Sequence, residues 1–154
     1  MSVHAFVTAA LLSFAAVATA QGGPGKPAKA GHAALTVGQK KVEFDKVSGS
    51  FMSSGGYVVV GLTYGPPNAD HLAISLMVQR PSKVDLDQPF GNGIGYWKGG
   101  TIFQYEKRKS KCTLTVTKIS ATEVEGTAEC PVVNELNGAG VESLTGVKFS
   151  AKTG

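Results

Sequence analysis

Between Cys112 and Cys130 the chain alternates with period two. Cys112, Leu114 and Val116 fall on one side and Thr113, Thr115 and Thr117 on the other. Beyond a polar break, Val124, Gly126, Ala128 and Cys130 oppose Glu125, Thr127 and Glu129. Such alternation marks a strand with one buried and one wet face. Folding the segment about Ala121 sets Cys112 against Cys130, Leu114 against Ala128 and Val116 against Gly126, across a short loop at residues 119–123. Opposed residues of an antiparallel pair lie about 4.5–5.5 Å apart at Cα, a span that a disulfide bridges. One fold-back therefore pairs both the apolar faces and the cysteines, the only two in the chain. Closing a loop of about 19 residues, the bond stabilises the fold by about 3 kcal/mol on the chain-entropy model.

The same reading extends along the chain. Residues 40–47 place Val42 and Phe44 inward and Lys41, Glu43 and Asp45 outward. A Ser-Gly cluster at residues 48–56, with Phe51 and Met52 inside it, breaks that pattern. Residues 57–64 are almost continuously apolar, and residues 71–79 carry Leu72, Ile74, Leu76 and Val78 on one face. Between them Gly65, Pro66, Pro67, Asn68, Ala69 and Asp70 supply turn chemistry, which predicts a central hairpin. Residues 81–89 read as a polar connection. A Gly99-Gly100 turn pairs Trp97 with Ile102 and Tyr96 with Phe103. Residues 131–140 read as loop, and residues 146–152 as a last strand with Val147, Phe149 and Ala151 on one side. About eight short strands and no amphipathic helix predict an all-β chain, a single antiparallel β-sandwich or barrel-like domain.

The N-terminus departs from this grammar. Residues 5–20 are apolar, rich in Ala and Leu, and end in Ala18-Thr19-Ala20, the small-x-small pattern of a signal peptidase site, although residues 1–4 hold no Lys or Arg. Residues 1–20 are therefore expected to be a signal peptide. Residues 21–33, with little to bury, are expected to be a flexible Gly/Pro/Lys spacer, and residues 34–154 the β-domain. Export to the periplasm or the exterior suits a disulfide. With 154 residues, 42% of them hydrophobic, the chain is long enough for one core. No apolar run of about 18 residues occurs after the presequence, so no transmembrane segment is expected in the mature chain.

Charge narrows function only slightly. The net +4 lies wholly outside the first twenty residues, and it permits anionic partners without demanding them; no nucleic acid is expected. Histidines number 3, His4, His32 and His71, too few for a His-based metal site, and no cofactor is expected. Asp70 and His71 are adjacent, and adjacent strand residues face opposite ways, so they do not form a catalytic dyad. Asp85 and Asp87 share a face in extended chain, short of the six to eight or so oxygens of a calcium shell. Gly91, Gly93 and Gly95 precede a strand rather than the helix a phosphate loop opens.

What remains is aromatic plus basic: Tyr96, Trp97, Lys98, Phe103 and Tyr105, then Lys107, Arg108, Lys109 and Lys111. Aromatics beside cations suit stacking and anion binding. The expected binding surface is Tyr96, Trp97, Lys98, Lys107, Arg108, Lys109 and Lys111, with an anionic glycan, a lipid head group or another protein as partner. The expectation is an exported, non-enzymatic binding or envelope-associated β-domain. The alternatives are a small secreted inhibitor presenting the loop at residues 65–70, and a hydrolase whose active-site residues are not apparent.

Overall fold

In the computed structural model, residues 25–88 and 91–154 are described; the expected signal peptide and residues 21–24 lie outside them. The strands, in chain order, are β1 (Lys26–Pro27), β2 (Ala30–Val37), β3 (Lys40–Phe44), β4 (Val47–Ser54), β5 (Tyr57–Tyr64), β6 (His71–Val78), β7 (Ser82–Lys83), β8 (Gly93–Lys98), β9 (Thr101–Gln104), β10 (Lys111–Ile119), β11 (Glu123–Glu135) and β12 (Val141–Lys152). Among the described residues there is no helix, and so none long and apolar enough to cross a membrane. The chain is all-β.

Hydrogen bonding joins the strands into one antiparallel ladder in the order β1-β4-β5-β6-β8-β9-β11-β12-β2-β3, with β10 and β7 branching from β11. Period-two patterning decides what the ladder encloses. Val60 pairs with Leu76, Leu62 with Ile74 and Tyr64 with Leu72 across β5 and β6, and all six side chains are buried. Ile74 and Leu72 then meet Ile94 and Tyr96 of β8, also buried. Val124, Ala128, Val147, Phe149, Ala151, Leu35 and Val37 form the corresponding inward row of β11, β12 and β2. β9 couples the two halves through Gln104 opposite Asn134 and Phe103 opposite Glu135. The halves face each other, and the Tyr64 hydroxyl donates across the gap to the Ser150 carbonyl at 2.8 Å.

The ladder does not close, since β1 and β3 are its ends. The chain between β1 and β2 bridges the opening: the Ala28 N–H donates to Gly49 at 2.9 Å and the Lys29 N–H to Lys152 at 2.8 Å.

The cysteine hairpin has the expected register at Leu114 with Ala128 and Val116 with Gly126, and Cys112 and Cys130 are disulfide-bonded. Gly126 is required there, because a Cβ at that position would lie 2.4 Å from the Phe149 ring. The central hairpin and the Gly99-Gly100 turn match expectation as well, the two glycines adopting φ of 58° and 84° as a type I′ turn demands.

Four segments differ. Gly25 to Ala33, expected within a spacer, carry β1 and the start of β2, because Ala33 is inserted into the core and residues 30–34 pair with β12. The Ser-Gly cluster is strand β4, fully paired with β5, with Phe51 and Met52 buried. The polar connection at residues 81–89 includes β7, which runs beside β10, and beyond that strand Val84 and Leu86 are buried. β11 continues through Pro131 to Glu135, because Pro131 falls within a register shift between Cys130 and Val133, where no ladder N–H is needed.

Replacing both cysteines by alanine is expected to lower the unfolding free energy in urea by about 2–4 kcal/mol while leaving the folded spectrum intact. Tyr64→Phe tests the bridge between halves. Burial raises this phenol well above its ordinary 10.0. The folded chain thus holds the proton more tightly than the unfolded one. This contribution is complete below pH 10.0 and is lost as the pH climbs through the folded-state value. Tyr64→Phe should cost about 1 kcal/mol at neutral pH and make the alkaline loss of stability less steep. An alkaline limb identical to wild type would exclude Tyr64 as its source.

Candidate functional site

Where the ladder fails to close, its inward residues reach solvent. The turn after β2, the inward face of β3 and the ends of β6 and β8 border a groove of about 570 Å³. Val37, Val42, Phe44 and Tyr96 make its apolar walls, and Lys40, Asp70, Lys98 and Gln39 its polar ones. Each is placed by its strand. Lys40 pairs with Val37 and Val42 with Leu35, so Lys40, Val42 and Phe44 share the inward side of β3. Phe44 packs against Tyr96 with ring centroids 6.5 Å apart. Lys98 immediately precedes the Gly99-Gly100 turn and Asp70 immediately precedes β6, and the bond from the Gly99 N–H to the Asp70 carboxylate ties these two ends together beside the groove.

The polar groups divide into occupied and unoccupied. Lys98 Nζ lies 2.7 Å from Glu142, whose side chain is 13% exposed. Burial opposes the charge of Glu142, but the Lys98 ammonium and the Ser143 N–H together hold its pKa below the usual carboxylate value. Asp70 accepts the Gly99 N–H with one oxygen at 2.9 Å. Among the described residues neither Lys40 nor Asp70 forms an ion pair. Tyr96 is 2% exposed, and burial followed by the nearby Asp70 charge pushes its phenol up to about 12. Its hydroxyl makes no hydrogen bond among the described residues. Among the described residues no fully buried side-chain polar atom lacks a partner, so this hydroxyl is not sealed from solvent, and its residue lines the groove.

The expected aromatic and basic surface is not one surface. Tyr96 points into the core, because its register with Leu72 puts it on the inward face, and so it belongs to the groove instead. Trp97 faces the other way and stacks on His71 at 4.5 Å and 18°. That stack covers His71, which is buried although its neighbour Leu72 takes the inward face. Lys107, Arg108 and Lys109 form a turn leaving the far end of β9, and Lys111 opens β10. The turn is tied down: Lys109 pairs with Glu106 at 3.0 Å, and Ser110 donates to Asn134 at 2.6 Å. Among the described residues no hydrogen bond, ion pair or ring contact links Trp97 or Lys98 to this turn.

The other candidates have local partners. His71 Nδ1 is 2.8 Å from the Ala69 carbonyl rather than near a carboxylate. Asp85 accepts the Asp87 N–H in a local turn, and Asp87 accepts the Tyr105 hydroxyl, a bond that leads burial and Asp85 in pushing that phenol up to about 12. Among the described residues no three His, Cys, Asp or Glu side chains are grouped to hold a metal. Asn92 caps the Met77 N–H, so the glycine loop serves β6. On the outer face His32 lies 3.6 Å from Asp45 and beside Ser150, but no hydrogen bond joins its ring to the Ser150 hydroxyl among the described residues, so no activated nucleophile is formed.

No family model matches the chain, nor does any curated protein or solved structure.

The groove residues other than Tyr96 and Lys98 were outside the expected site. One signal was available: Lys40 has the same parity as Val42 and Phe44, which puts a charge on an apolar face.

Lys98→Ala should cost about 0.5–1 kcal/mol at pH 7, the range for a partly exposed ion pair. Because the folded-state pKa of Glu142 is lowered, the contribution is present above the ordinary 4.5 and lost as pH falls through the folded value. Urea titrations at neutral and acid pH should therefore show the two proteins converging in acid.

Proposed function

We propose that this is an exported, non-enzymatic binding domain whose ligand site is the groove between β3 and the ends of β6 and β8. The observation that carries the reading is Tyr96, a buried ring lining the groove whose hydroxyl has no protein partner among the described residues and is not sealed from solvent. The groove volume of about 570 Å³ falls within the roughly 300–1,000 Å³ of small-molecule sites. Its mixture of apolar walls and few polar groups is what such sites use for affinity and orientation. The disulfide supports an oxidising compartment, periplasmic or extracellular.

The test is a ligand-observed NMR screen of a chemically mixed small-molecule library against the chain from Gln21, with Val42→Trp as the groove-filled control. Compounds that bind wild type and are lost from the control support the reading. Binding that survives filling of the groove, or a library with no binder, refutes it.

A further inference from the structure

We infer that the ligand is a small zwitterion with an apolar body, of the class of a hydrophobic α-amino acid. This rests on the groove being the ligand site.

Four charged groups stand in or beside the groove: Lys40, Asp70 and Lys98 in its lining and Glu142 paired with Lys98. Lys98 and Glu142 neutralise each other at 2.7 Å. What is left is one cation, Lys40, and one anion, Asp70, both lining the same space and not within ion-pair distance of each other. A purely anionic ligand would satisfy Lys40 while meeting the Asp70 carboxylate, and a purely cationic one would do the reverse. A ligand carrying both charges satisfies both.

The remaining groups agree with that assignment. The Tyr96 hydroxyl, kept protonated by burial and by Asp70, is a donor for the carboxylate that Lys40 attracts. Asp70 spends one oxygen on the Gly99 N–H and keeps the other for an ammonium. Val42 and Phe44 follow Lys40 on the inward side of β3 and offer the surface for an apolar side chain. A polyhydroxylated ring would bury less apolar surface on these walls than an apolar side chain, which is favourable there at about 25 cal/mol per Å² removed from water.

Three probes sharing one body isolate the two charges: phenylalanine, 3-phenylpropionate, which lacks the ammonium, and phenethylamine, which lacks the carboxylate. Titrations are followed by the backbone amide shifts of Lys40, Val42, Tyr96 and Lys98 in the chain from Gln21. Phenylalanine should bind tightest, with each of the others weaker by about tenfold, the scale of one charge-assisted hydrogen bond. Asp70→Asn keeps the acceptor for Gly99 and removes the charge, so phenylalanine should fall to the level of 3-phenylpropionate. Lys40→Gln should bring it to the level of phenethylamine. Tyr96→Phe should weaken both carboxylates and leave phenethylamine unchanged. Equal or tighter binding of either single-charge probe at the same amides overturns the zwitterion while leaving the groove as a site. No shift at those amides with any probe also overturns it, and the library screen separately decides whether the groove takes another ligand.

Discussion

On β11 a single edge carries two neighbours, β10 along residues 124–132 and β9 at Asn134 and Glu135, while β12 runs the full length of the other edge. Only a strand as long as Glu123–Glu135 can do this, and a strand that long would twist its side chains out of register with a closed core. Two irregularities answer that. Near Ala128 and Cys130 the partner strand takes an extra residue at Gly146, whose positive φ and N–H bond to Glu129 at 2.6 Å fix the bulge. Between Cys130 and Val133 the pairing shifts again. After each shift an apolar residue, Leu144 or Val133, is restored to the inward face. The coupling of the two halves depends on these shifts, and the disulfide at Cys130 sits between them.

The groove follows from the same geometry. A ladder that coils without closing must leave its last strand facing its far neighbours across a gap. β3 is that strand. Five residues long, with Lys40 and Lys41 at one end, it is too short and too charged to recruit another chain edge to edge easily. Its inward residues stop short of a dry seal, and the ring contact of Phe44 with Tyr96 is where the core ends and the open space begins.

Much of the fold was legible because strands with one wet face announce themselves. The cysteine hairpin, the central hairpin and the Gly99-Gly100 turn each combined strand patterning with turn residues; all three are present, and the first and third have the expected register. The misses share a cause. β4 is rich in Ser and Gly, β1 and the start of β2 in Gly, Ala and Lys, and β11 contains a proline. Local propensity argues against a strand in all of them, and pairing with a distant strand overrides it. The candidate site was less legible still. Parity puts Tyr96 on the inward face, but nothing local brings Lys40, Asp70 and Tyr96 together; the curl of the ladder does that. The basic run at Lys107, Arg108 and Lys109 stands out in sequence because it is dense, and in the structure it is a turn held by Glu106 and Ser110.

The pairing of β2 with β12 brings Ala30 opposite Lys152, residues from the two ends of the described chain. Such a contact rewards the loop-closure cost only after nearly everything between is in place, which makes for high contact order and slow folding. During synthesis β2 emerges before all the described strands that separate it from β12, so β2 waits with one edge covered by β3 and the other bare. The hairpin of β5 and β6 and that of β10 and β11 can form locally in the meantime. The last strand to appear therefore decides when the barrel-like wall, and with it the groove, comes into being.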